Sequence, residues 1–168
     1  MIGYRVTKYN PSLRLEDGSF TRDEWTSISD VGQHYPQGIF TFNEYLRTEE
    51  TYVEVIRRFL ESAKIDSLRV RGLEFKVNNE SPPSTLVAEG ATQLRLLREG
   101  INYSGVNLDW VVRLNLRELV WCLLEGDRGA YVHFGYDYYM YIGIEGANFA
   151  LPPLPPRIYV EPFETPYR

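Results

Sequence analysis

Between Tyr131 and Gly143 the chain reads Tyr-Val-His-Phe-Gly-Tyr-Asp-Tyr-Tyr-Met-Tyr-Ile-Gly, and no other stretch narrows the choice of fold as much. Five of the ten residues from Tyr131 to Met140 are aromatic. Aromatic and β-branched residues suit the pleated, half-buried surface of a sheet, so the segment predicts a β-strand. Val132, Phe134 and Tyr136 fall on one face and His133 on the other, with Gly135 or Asp137 able to change the phase. One face can be core. The other needs a helix, a second layer or a partner protein. Two readings stay open: a central strand covered on both sides, or tyrosines that a partner covers. Tyr and Met are enriched at interface centres, and an acid among tyrosines, Asp137, suits a partner's arginine or lysine.

The rest of the chain supplies cover for such a strand. Thr41–Lys64 has helical spacing at Tyr45, Leu46, Val53, Ile56, Phe59, Leu60 and Ala63. Thr41 with Glu44 fits a capping box, and Phe40 with Tyr45 a hydrophobic staple. Glu44, Glu49 and Glu50 lie early and Arg57, Arg58 and Lys64 late, which suits the helix dipole. Glu54 precedes Arg58 by one helical turn. Ser104–Glu125 predicts a second, largely buried helix from Leu108, Val112, Leu116, Leu119, Val120 and Leu123, with Gly126 as its C-terminal cap. A helix–turn–strand unit would then lead through Gly126–Gly129 into the aromatic segment. Gly3–Tyr9 predicts a strand. Ser67–Val77 predicts another, with a phase slip at Gly72 that signals a bulge. Arg157–Phe163 predicts a final strand at a sheet edge because of Pro162. Thr21–Gly32 reads as a short helical turn and a loop, with Trp25 and Ile28 inward. Asn78–Ser84, carrying Pro82-Pro83, reads as a loop. Thr85–Gly100 stays ambiguous between strand and helix. The expected class is α+β, a mixed or antiparallel sheet packed against two main helices, in one domain spanning 1–168.

Composition excludes several functions. The formal net charge is −5 with 18 Lys and Arg, and only Lys8, Lys64 and Lys76 are lysines, which disfavours a basic nucleic-acid face. The single cysteine, Cys122, rules out an internal disulfide and a cysteine metal cluster. No signal-peptide pattern opens the chain and no apolar run approaches a membrane span, so the expected location is cytoplasmic, without membrane contact.

Chemistry-bearing motifs are absent. His34 and His133 lie far apart and lack metal-ligand spacing, so no metal is expected. There is no nucleophile elbow, Walker motif or dinucleotide loop, and no cofactor is expected. Cys122, among Val120, Trp121, Leu123 and Leu124, reads as an inert buried thiol. Asp30, Glu49, Glu50, Asp109, Glu118 and Asp137 would support acid–base chemistry only if they met in a cleft with His133 or a tyrosine. That defines an alternative, a small hydrolase-like enzyme. Pro152–Arg157 holds a Pro-x-x-Pro-x-Arg pattern, which reads as a stiff connector ahead of a polyproline ligand.

Four segments carry a resemblance: Tyr4–Pro11, Asp23–Gly32, Leu116–Leu123 and Phe134–Tyr141. Together they resemble a set of bacterial proteins similar to the immunity factors encoded beside secreted polymorphic toxins. The resemblance spans most of the chain and transfers no functional residue. It implies a small acidic cytoplasmic protein that binds and blocks a toxin domain, here a basic one. With the acidic balance and the aromatic excess, the candidate partner-binding residues are Asp137, Tyr136, Tyr138, Tyr139, Asp30, Glu49 and Glu50, and no catalytic residue is assigned.

Overall fold

The computed structural model describes residues 2–76, 84–146 and 149–167. In chain order its elements are β1 (Ile2–Thr7), the small hairpin β2 (His34–Tyr35) and β3 (Gly38–Ile39), α1 (Phe42–Ala63), β4 (Leu68–Phe75), α2 (Ser84–Leu96), β5 (Asn102–Tyr103), α3 (Gly105–Leu116), β6 (Val120–Glu125), β7 (Tyr131–Phe134), β8 (Met140–Ile144) and β9 (Tyr159–Pro162). Seven strands form one sheet in the order β5-β4-β6-β7-β8-β1-β9. Every neighbouring pair in it is antiparallel. The α+β class therefore holds, with the antiparallel form of the sheet. The loop expected at Asn78–Ser84 lies outside the described residues, except that Ser84 opens α2.

Helix α1 forms where its sequence signals it. Thr41 Oγ1 accepts from the Glu44 amide at 3.2 Å, and the staple pair Phe40 and Tyr45 is buried. Its apolar stripe, including Tyr52, Val53, Ile56 and Phe59, joins Val111 and Val112 of α3 and Cys122, Leu124, Val132, Met140 and Ile142 of the sheet in one core. Full burial of each such side chain contributes roughly 1.5–3 kcal/mol. Strand β4 carries the expected bulge. Its register with β6 shifts between Arg71 and Glu74, around Gly72 with φ 61°. β9 lies at a sheet edge, as Pro162 requires.

Three expectations are corrected. The helix expected over Ser104–Glu125 stops at Leu116, and Val120–Glu125 is strand β6. Its cause is a left-handed cap without glycine. Glu118 has φ 58°, its amide donates to Asn115 O at 3.0 Å, and the Leu119 amide donates to Leu114 O at 3.0 Å. Those two bonds close a Schellman motif. Beyond it, Val120, Cys122 and Leu124 are buried with period two while Trp121 and Leu123 are half-buried. Gly126 ends no α-helix; it stands at the N-cap of a short 3-10 turn, Asp127–Gly129, in the β6–β7 connection. The supposed helix–turn–strand unit is thus a β-hairpin.

The single strand expected over Tyr131–Gly143 is likewise a hairpin, β7 and β8, pairing Tyr131 with Gly143 and Phe134 with Met140. Finally, the helical turn expected near Thr21 forms at Ile28–Asp30, with the capping box made by Ser27 and Asp30. Trp25 and Ile28 are buried, as expected. The ambiguous stretch after Ser84 is helical through Gly90, whose lack of a side chain suits its close approach to Leu114, 3.1 Å from where a Cβ would stand.

The far face of the central strands is covered by the chain's own C-terminal segment. His133 Nδ1 and Thr165 Oγ1 are 2.8 Å apart. Tyr167 packs edge-on against His133 and Tyr141, and Phe163 lies 5.7 Å from Tyr141. Gly3 and Gly143 leave the space that the Tyr131 ring fills; a Cβ on Gly143 would sit 2.4 Å from it. Strands β7 and β8 are thus buried on both faces, whereas Tyr136, in the turn between them, stays exposed. The proline stretch is a strap: Arg58 Nη1 donates to Pro153 O at 2.8 Å, and Leu151, Leu154 and Ile158 pack on the core.

Candidate protein-binding site

The β7–β8 turn, residues 135–139, is where the aromatic segment leaves the core. The Gly135 amide donates to Tyr139 O at 2.8 Å and the Tyr139 amide to Tyr136 O at 3.1 Å. Its two central residues, Asp137 and Tyr138, have φ 54° and 61°. Tight hairpins favour left-handed residues there because these match the strand twist, and Asn-Gly is the usual occupant. Each non-glycine residue in that region costs about 1 kcal/mol. Strain of this kind persists only when the surroundings over-determine it, and it concentrates at functional sites.

Tyr138 supplies the over-determination. Its ring is buried among Trp25, Tyr45 and Tyr52, with centroids 5.0, 6.2 and 5.4 Å away and near-perpendicular planes. Edge-to-face packing adds about 0.5–1.5 kcal/mol per pair beyond area. Tyr52 donates to Tyr138 O at 2.6 Å. Burial pushes the Tyr138 and Tyr52 hydroxyls well above the usual phenol range, so both stay neutral donors. With Tyr138 pinned inward, the turn projects its neighbours outward. Tyr136 is 82% exposed, and Asp137 is exposed beside it.

Beneath the turn lies a shallow groove with Thr26, Ser27, Glu118, Trp121, Tyr136 and Asp137 on its walls, and Lys76 as its cation. Its volume, about 110 Å³, is well below the roughly 300–1,000 Å³ of small-molecule sites. Such a shape suits a side chain from another protein better than a whole substrate. Asp30 shapes this rim. Its carboxylate accepts from the Thr26 and Ser27 amides at 2.8 and 3.2 Å.

The remaining predicted residues sit elsewhere. Tyr139 is half-buried and faces Arg5 and Arg14, whose guanidiniums lie 5.3 and 5.8 Å from its ring centre. Glu49 is fully buried. It receives Arg117 through two bonds of 2.7 and 2.8 Å, Arg113 at 2.7 Å and the Tyr45 hydroxyl at 3.1 Å. Glu50 is exposed and pairs with Arg113 and Arg57. Arg57 also holds Asp109 at 2.8 Å. Glu49 and Glu50 thus lock α1 to α3. Tyr138 touches this lock through Tyr45, and neither Glu49 nor Tyr138 reaches the surface.

Glu118 and Trp121 belong to the groove and were not singled out as binding residues by sequence. The expected helix hides both, because it places Glu118 on a solvated polar stripe and runs Trp121 into an apolar stretch, whereas the left-handed cap at Glu118 turns the chain into β6. The alternative enzymatic reading finds His133 only 2% exposed, closed by Thr165, and remote in the fold from the Glu49–Glu50 cluster. Cys122 stands in strand β6 and not in a helix, buried, with its thiol pushed up to about 11 by burial. No protein-family model, curated protein or solved structure matches the chain.

Proposed function

We propose that this chain is a protein-binding inhibitor of the immunity type, which engages a basic partner domain through Tyr136 and Asp137. The observation that carries the reading is the strained turn itself. Two successive left-handed residues that are not glycine hold an exposed tyrosine and an exposed carboxylate over a pinned Tyr138. A rigid aromatic beside an acid is a common anchor for arginine or lysine, and a pre-organised anchor loses little entropy on binding. The net charge of −5 supports attraction to a basic surface.

Co-expression with the product of the adjacent gene tests the proposal. The parent chain should co-purify with that product and relieve its toxicity. Asp137→Lys should abolish protection, and Tyr136→Ala should weaken binding by about 2 kcal/mol, the size of an interface hot spot. Full protection by both folded variants would remove this surface from the function.

A further inference from the structure

A second concavity, of about 430 Å³, is lined by Lys8, Arg47, Arg157, Trp25, Pro156 and Ile158. Its size falls within the range of small-molecule sites. Lys8 follows β1, and its side chain is only 8% exposed. Its ammonium sits 3.9 Å from the ring centre of Tyr9 and 4.1 Å from that of Trp25. The nearest carboxylate oxygen, on Glu24, is 3.6 Å away, an ion pair too long for a hydrogen bond. Among the described residues no acceptor hydrogen-bonds Lys8 Nζ. A buried ammonium has three donors, and leaving them unsatisfied is costly. Burial accordingly lowers the Lys8 pKa from 10.5 to about 8.

We propose that this cavity binds a small organic carboxylate, with Lys8 as its buried donor and Arg47 and Arg157 as its outer cations. Lys8 holds only the 3.6 Å ion pair with Glu24 and two aromatic faces, so a bound carboxylate would bring it a closer acceptor, and Trp25, Pro156 and Ile158 offer cover for an apolar body. Glu24 and Glu44 also line the cavity, so three cations face two acids there. Even so, the lining carries net positive charge on a chain of net −5, and this draws anions to it. The Thr48 and Thr51 hydroxyls donate to the α1 backbone, at Glu44 O and Arg47 O, and are not free to replace the lysine as donors.

Benzoate is a suitable probe, followed by amide chemical shifts in solution, with benzyl alcohol as the neutral isostere and inorganic phosphate as the anion without an apolar body. The expected result is a saturable shift at Thr48, Thr51 and Ile158 with benzoate alone. Lys8→Met and the double variant Arg47→Ala/Arg157→Ala should each weaken it at least about tenfold. Because both arginines are solvent-facing, the double variant keeps the test decisive if Lys8→Met misfolds. No saturable shift with benzoate would overturn the assignment, as would equal binding of benzyl alcohol or phosphate, or undiminished binding in the arginine double variant.

Discussion

Lys64, Glu118, Arg128, Asp137 and Tyr138 share one unusual property: each is a non-glycine residue held at a φ between 54° and 61°. At Lys64 and Glu118 the left-handed residue ends a helix, and glycine would do so without a Cβ penalty. Glu118→Gly should therefore stabilise the fold by about 1 kcal/mol in denaturant unfolding. An unchanged midpoint would mean that the Glu118 side chain offsets its strain by contacts in the groove. Lys8 makes a different prediction. Its depressed pKa means that the unfolded chain binds the proton more tightly than the folded one between about pH 8 and 10.5. Stability should therefore rise with pH through that window, relieving a penalty of about 3 kcal/mol that is fully present below pH 8. Tyr9 and Tyr52, held above the phenol range by burial, work in the opposite sense once unfolded tyrosines ionise near pH 10. Unfolding measured from pH 7 to 9.5 should show a rise that Lys8→Met abolishes, the variant being the more stable at pH 7. A flat profile for the parent would contradict the buried ammonium.

At the scale of elements, α1 and α3 are joined by charge as well as by apolar packing. Glu49 sits between Arg113 and Arg117 with no solvent access. Removing one partner of a buried pair strands the others and costs about 3–5 kcal/mol. Glu49→Gln should lose at least about 3 kcal/mol in urea unfolding without altering the hairpin turn; a loss within error would show the arginines re-paired through Glu50, which already meets Arg113, and Glu89, which lies 3.5 Å from Arg117. The same elements show what could be read in advance. The caps and stripe of α1, the bulge at Gly72 and the edge strand before Pro162 were legible, because local chemistry decides them. The end of α3 and the β7–β8 turn were not. Both depend on left-handed residues without the glycine or asparagine that normally marks them, and both lie within apolar runs where periods of two and of 3.6 look alike. In the candidate site, Tyr136 and Asp137 were legible as outward residues of an aromatic segment. The burial of Tyr138 and Glu49 was not, because it depends on α1 and α3 packing over the sheet.

In the whole molecule the sheet is closed on one face by helices and across its centre on the other by residues 163–167, leaving the aromatic hairpin to emerge at one end. No helix among the described residues is long and apolar enough to cross a membrane. What distinguishes the surface is a turn whose local strain is held by buried contacts beneath it. Its functional meaning is testable by separating strain from recognition. Asp137→Gly removes the Cβ from a left-handed position and the carboxylate from the surface together. Calorimetric unfolding and titration against the purified partner, made on one preparation of this variant, read both effects. The expected result is a higher Tm, by about 2–4 °C for a gain near 1 kcal/mol, with affinity reduced at least about tenfold. A higher Tm with unchanged affinity would show that the turn is strained without being a binding site.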